Sequence, residues 1–305
     1  MFAFILKRLL EAIPALFIII SLNFFLIRLA PGDPFLDEKT KSAEVQTALN
    51  EHYGLDKPIW QQYLRYLGNL VQGDLGPSFK YPGWSVNELI LEKLLISLEL
   101  GIYALLVAAS IGISAGVLAS LRPNSWLDRS LMSSTMLGIC LPSFVLGPLL
   151  ILAFAVYLNW FNVAGWFLPS DRILPSFTLG IIYAAYIARI MRGSMLEVHK
   201  ACYIRTARAK GLSPARIVLV HSLRNGILPV IAFLGPTMAG LISGSFVVET
   251  IFNIPGLGKF FVNSAFNRDY TMMMGMVLFY ATVLILFNLL SDIVQAWLNP
   301  RQKIE

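Results

Sequence analysis

Apolar residues in this chain come mostly in long unbroken runs, at residues 9–30, 99–121, 131–158, 173–190, 227–251 and 272–298. A helix needs about 20 consecutive apolar residues to cross roughly 30 Å of hydrocarbon, so each run predicts one membrane-spanning helix. The third run is long enough to tilt. Charged or Gly/Pro-containing segments bound the runs. Lys7 and Arg8 ahead of the first run are compatible with a cleaved leader, but that run is long and ends in Arg28 and LAPGDP rather than in a small-x-small site. It is therefore read as a retained span.

Between the first two runs the pattern changes. Ser42 can cap a short helix through about Glu51. After Gly54 and Pro58, the positions Ile59, Tyr63, Leu67 and Leu70 recur at helical spacing and leave Gln61, Gln62 and Arg65 on another face. Such an amphipathic layer either lies on the membrane domain or interface or helps to receive an external partner. Ser85 and Glu88 have the spacing of a capping box, which starts a helix near Val86 that runs on into the second span. The resulting expectation is an all-α membrane protein of six transmembrane helices. Its segments are an N-terminal tail and first span at 1–30, an external helical segment at 31–98, and a five-helix core at 99–305 with a cytoplasmic loop at about 191–225.

Charge sets the orientation. The loop at 191–225 carries Arg192, Lys200, Arg205, Arg208, Lys210, Arg216 and Arg224 against Glu197, so the positive-inside rule makes it cytoplasmic. Six spans then put Lys7 and Arg8 on the same side as Arg301 and Lys303, with both termini inside. The opposite segment holds Asp33, Asp37, Glu38, Glu44, Glu51, Asp56, Asp74, Glu88 and Glu92, an acidic balance that fits an outer face. With 56% hydrophobic and 14% charged residues, a water-soluble domain is excluded. The pI of about 9.3 reflects inward-facing bases, not a nucleic-acid partner. Cys140 falls in a span and Cys202 in the inner loop, so both are read as packing residues and no disulfide framework is implied.

The stretch YIRTARAKG at 203–211 stands out as a docking surface: Ala207, Ala209 and Gly211 permit close approach, and Arg205, Arg208 and Lys210 select a partner. A short helix closing at Gly211 is expected, because glycine tolerates the left-handed conformation of a helix end and bases there suit the helix dipole. Further along, Pro255, Gly256 and Gly258 predict a tight turn, read as structural rather than substrate-binding. Arg28, Arg189, Glu249 and Asp292 lie near span ends and are assigned to water or headgroups. Ser243, Gly244 and Ser245, with Glu249 about a turn on, make the fifth span the candidate pathway lining. No nucleotide-binding loop occurs, and His52, His199 and His221 have no metal-site spacing.

Several stretches together resemble the permease subunit of bacterial peptide importers of the ATP-binding cassette (ABC) class. They are RLAPGDP at 28–34, GDLGPSFKY at 73–81, LPSFVLGPLL at 141–150, RTARAKGL at 205–212, ETIFNIPGLGKF at 249–260 and NRDY at 267–270. GPSFKY and the SVNEL that follows look most like the oligopeptide branch; dipeptide and nickel permeases share RTARAKGL and IPGLG. The resemblance implies the type I importer permease fold in the bacterial inner membrane, with no catalytic, cofactor or metal site in this chain. It implies a homologous second permease, two ATPase subunits that use ATP and Mg, an extracytoplasmic peptide-binding protein, peptide substrate and surrounding lipid. The ATPase-coupling residues it marks are Tyr203, Arg205, Thr206, Ala207, Arg208, Lys210, Gly211 and Leu212. The family motif reads Glu-Ala-Ala, three residues, Gly, nine residues, Ile-x-Leu-Pro. Aligned on Gly211, it places Arg205, Thr206 and Ala207 at Glu-Ala-Ala and His221, Leu223 and Arg224 at Ile, Leu and Pro. Only Ala207, Gly211 and Leu223 match, so an acidic contact from the motif's Glu does not carry over. An ion-coupled secondary transporter would call for mid-membrane charges and an inverted repeat, which the sequence does not display, and no catalytic constellation supports a membrane hydrolase.

Overall fold

The computed structural model describes residues 2–29, 54–81 and 83–298, and these fold as an all-helical bundle. The predicted cap at Ser42 and most of the RLAPGDP motif lie outside the described residues. Helix α1 (Phe2–Leu29) leads to α2 (Ile59–Val71) and α3 (Val86–Leu121). Next come α4 (Trp126–Cys140), α5 (Ser143–Leu150) with a π-helical continuation at Ile151–Tyr157, α6 (Ile173–Lys200) and α7 (Cys202–Ala209). After an irregular helical stretch from Pro214 to Gly226, the chain forms α8 (Leu228–Gly244), α9 (Phe246–Ile251), α10 (Leu257–Phe266) and α11 (Tyr270–Leu298).

Five helical segments are long and apolar enough to span a membrane: Arg8–Leu29, Val86–Leu121, Pro169–Lys200, Leu228–Ile251 and Tyr270–Ala296. The third apolar run does not form the straight tilted helix expected. It breaks into α4 and α5, which meet at 105°, and counts as a sixth span only as a bent pair. The cause is local. Pro142 has no N–H to continue α4, and its ring forces Leu141 out of the helical region to φ −89°, ψ 111°.

Helix α3 starts where the capping box placed it: Glu88 N donates to Ser85 Oγ (3.2 Å), and Ser85 N donates back to Glu88 Oε2 (3.0 Å). It runs 36 residues without interruption, so the boundary drawn at residues 98/99 falls inside a helix. Its partner is the parallel helix α6. Ala104, Ala108, Gly112 and Gly116 recur every fourth residue on α3 and face Gly180, Ala184 and Ala188 at the same spacing on α6. Small residues in this register let two backbones approach closely, and van der Waals packing then replaces the hydrophobic drive that lipid does not supply. A β-carbon at Gly180 would lie 2.5 Å from the Ala104 carbonyl oxygen. The core grows from this pair. Leu100, Leu179, Leu241 and Phe252 fill one side, and Ile187, Met191, Met195 and Val230 fill the other.

Helix α2 packs through Tyr63 and Tyr66 onto Phe24 of α1, and Ile59 stays half exposed. Burial pushes the Tyr66 phenol up to about 12, so it serves as a neutral ring. Gln62, expected on the far face, instead accepts from Arg28 Nε (3.0 Å) and Nη2 (2.8 Å). Arg28 therefore turns inward onto Phe24 rather than out to headgroups, because a hydrogen-bond acceptor and an aromatic face are both within its reach. Much of the apolar surface of α1 remains open, with Ile13, Leu22 and Leu26 each more than half exposed. A surface of that kind needs lipid or a protein partner to cover it.

Candidate functional site

The basic stretch forms α7 at the end of the bundle where α6 leaves it. Helix α6 continues ten residues past the predicted end of the fourth span, so residues 191–200 are helix rather than loop. The end of α7 is built as expected at Gly211, whose φ is +75°. Gly211 N donates to Arg208 O (2.9 Å) and Leu212 N to Ala207 O (3.3 Å), the paired bonds of a Schellman cap.

One face of α7 is anchored. Ile204 and Ala207 are buried against Ile217, with Val198 and Leu212 packed beside them. This corrects part of the expectation: Ala207 is small because its own chain lies over it, not to admit a partner, and Leu212 belongs to the same anchor. The i, i+3 spacing of Ile204 and Ala207 defines the inward stripe. Tyr203, Arg205, Thr206, Arg208, Lys210 and Gly211 form the exposed remainder. Tyr203 is oriented by Asn225, whose Nδ2 donates to its hydroxyl (2.8 Å). The result is a rigid, cationic helix tied on one side to α6 and on the other to the π-helical turn Ile217–Ser222.

Two of the four pathway candidates are buried in this chain. They are Ser245 and Glu249, both fully buried; Ser243 and Gly244 are helical, and their surroundings lie outside what is described. Glu249 does lie near the end of its span, Leu228–Ile251, but it is buried in protein rather than exposed to water or headgroups. Its Oε1 accepts from Ser97 Oγ and Ser245 Oγ (both 2.7 Å), and its Oε2 accepts from Gly258 N (2.7 Å). Ser97 Oγ in turn accepts from Leu257 N (2.8 Å). A buried carboxylate needs such a set of donors, and here the set pins the IPGLG turn onto α3. Gly256 and Gly258 are required there for close approach: a β-carbon at Gly258 would lie 2.4 Å from Phe246 Cα. Asp292 does sit near an end, and pairs with Arg8 at 3.0 Å. Cys140 and Cys202 are exposed rather than packed.

Three polar networks escaped sequence reasoning. Asp128, in the first turn of α4, accepts from Asn124 N (2.8 Å) and takes a two-pronged contact from Arg192 on α6, Nε to Oδ1 and Nη2 to Oδ2, both 2.6 Å. Asp269 of NRDY accepts from Ser78 Oγ, from Phe79 N (3.2 Å) and from Met272 N (3.1 Å), which joins GDLGPSFKY to the start of α11. Glu99 accepts from Arg172 Nε (3.0 Å) and Trp166 Nε1 (3.1 Å) at the end of the bundle opposite α7. Asp128 was foreshadowed by Ser125 three residues before it, a capping pattern. Its partner 64 residues away has no local signature.

A bundle of broken and unbroken spans with a rigid cationic helix between two of them is the architecture of a transporter's membrane component. Comparison with known proteins agrees. The family profile described as "Binding-protein-dependent transport system inner membrane component" matches residues 111–304, and that of the family's N-terminal region matches residues 1–81. The chain is 50% identical over 303 residues to the oligopeptide transport system permease protein OppB of Haemophilus influenzae, covering 99% of both chains. It is 46% identical to OppB of Escherichia coli K12, with 99% of both chains covered. It is 43% identical to the dipeptide transport system permease protein DppB of Bacillus subtilis, covering 99% of this chain and 98% of that one. Among solved structures, the MetNI methionine ABC transporter in inward-facing conformations is similar at a TM-score of 0.58 and 20% identity, covering 69% of this chain and 96% of that one. The chain belongs to the inner-membrane components of binding-protein-dependent transport systems. Its fold is that of an ABC importer permease.

Proposed function

We propose that this permease forms half of the translocation path of an ATP-driven oligopeptide importer. A homologous second permease supplies the other half, two ATPase subunits bind ATP and Mg, and an extracytoplasmic binding protein delivers the peptide. The observation that carries this reading is α7, a capped helix with one face locked into the permease and the other presenting Arg205, Arg208 and Lys210. Such an element moves as a rigid body with α6 and the segment after it. Closure of the ATPases on ATP therefore shifts the spans, and hydrolysis resets them. In this reading α7 and both termini face the cytoplasm, as the distribution of Lys and Arg requires. Oligopeptide as cargo is supported by the similarity to two OppB proteins over nearly the whole chain. Dipeptide as cargo is the second reading, favoured by the DppB similarity.

A pull-down in mild detergent tests it, comparing wild type with the double variant Gly211→Pro and Arg208→Glu. Wild type is expected to retain a second permease and the ATPases, and the variant to lose the ATPases alone. A wild-type chain that purifies by itself and transports in liposomes without ATP overturns the proposal in favour of a secondary transporter. Competition for uptake by peptides of graded length separates oligopeptide from dipeptide cargo.

A further inference from the structure

At the end of the bundle opposite α7, a cavity of about 530 Å³ opens between α3 and α6. Its walls carry two polar pairs, each one helical turn apart: Glu99 and Tyr103 on α3, and Arg172 with Ser176 beside it at the start of α6. Leu106, Val107, Phe167, Ile173 and Phe177 complete an apolar frame. The polar groups are not used equally. Each Glu99 oxygen accepts one bond, from Arg172 Nε and from Trp166 Nε1 respectively. Arg172 is held by Glu99, by the Leu168 carbonyl (2.7 Å) and by the face of Trp166, 4.7 Å from its centroid. That leaves its Nη2 without a partner among the described residues. Ser176 Oγ is buried and unpartnered, and the Tyr103 hydroxyl makes no hydrogen bond among the described residues although its ring is partly exposed.

We infer that this cavity is a transit subsite for a peptide's free C-terminal carboxylate, an inference that rests on the importer reading above. The unfilled groups are all hydrogen-bond donors or donor-acceptors. Each Glu99 oxygen already accepts one bond, whereas Arg172 Nη2 is a charged donor group with no partner among the described residues, so the free donor favours an oxyanion over an ammonium. Arg172 is pre-organised by Trp166 and Leu168 and loses little freedom in binding it. The Tyr103 hydroxyl lies a turn further into the bundle, where a main-chain amide of the same peptide reaches it, and the buried Ser176 hydroxyl lies behind the cavity wall. The apolar frame takes the last side chain without requiring a particular one. An anionic lipid headgroup offers the same oxyanion chemistry, and the test separates the two sources.

The test uses the whole transporter in nanodiscs, with Leu106→Cys as reporter in a background lacking Cys140 and Cys202. Labelling by a small maleimide is timed during ATP-driven turnover with a tripeptide that has a free C-terminus, and again with its C-terminal amide. The free acid is expected to slow labelling roughly tenfold, the scale of one charge-assisted hydrogen bond, and the amide to leave it nearly unchanged. Arg172→Gln should abolish the protection, Arg172→Lys should restore part of it, and Tyr103→Phe should weaken it. Equal protection by acid and amide overturns the inference, as does no protection. So does protection that follows the anionic lipid content and ignores peptide. Peptide uptake by the wild-type transporter is measured alongside: absence of any uptake counts against the importer reading, whereas uptake without protection counts against the subsite alone.

Discussion

A β-carbon at Gly116 would lie 2.6 Å from the Ala188 carbonyl oxygen, whereas one at Gly211 meets nothing within 4 Å. The same residue type thus meets two different demands. At Gly116 the demand is space, since α3 and α6 touch through their backbones; at Gly211 it is conformation, since φ is +75°. Gly116→Ala must push two helices apart, at a cost of about 1–3 kcal/mol in a packed interior. Gly211→Ala carries only the left-handed penalty, about 1 kcal/mol, at an exposed position. Thermal unfolding of the two variants in detergent should rank Gly116→Ala as clearly the less stable, and the reverse order would refute this account of the α3–α6 contact. The requirement at Gly211 was legible from its place after a short helical stretch. The one at Gly116 was not, because nothing local says which helix lies across from it.

At the scale of one element, α7 shows how a sequence can announce a helix and conceal its orientation. Gly211 and the basic residues fixed where it ends, but burial of Ala207 reversed the reading of that one small residue, while Ala209 and Gly211 stay exposed. The two faces predict two separable phenotypes. Ile204→Asp places a charge in the anchor formed with Ile217 and Val198, and should expose residues 201–213 to limited proteolysis. Arg208→Glu lies on the open face and should leave the protease pattern as in wild type while weakening ATPase association. If both variants gave the same digestion pattern, α7 would not be anchored as described. The third span carries a similar lesson. LPSFVLGPLL was recognisable as a motif, yet the 105° bend at Leu141–Pro142 follows from backbone sterics that an apolar count does not register.

Across the whole molecule, long-range polar contacts hold the bundle in register. Asp128 is almost fully buried and Arg192 only partly exposed, so removing either partner leaves a charge badly solvated. Asp128→Asn and Arg192→Gln are each expected to cost roughly 1–3 kcal/mol, discounted for the exposure of Arg192. The double variant should cost less than their sum by about 1 kcal/mol or more. Additive losses in unfolding experiments would mean that the pair is not coupled.

The sequence alone determined the membrane class, the start of α3 at its capping box, the end of α7 at Gly211, and the family, because each is written in neighbouring residues or in a string of motifs. Tertiary structure decided which faces are inside. It placed Glu249 and Ser245 in a sealed network with Ser97 and Gly258, joined NRDY to GDLGPSFKY through Asp269, and brought Glu99, Tyr103, Arg172 and Ser176 to one cavity. Those pairings depend on how helices far apart in sequence lie against one another. In a chain this apolar that is set by shape, through small residues four apart on α3 and α6, which a hydropathy pattern averages away.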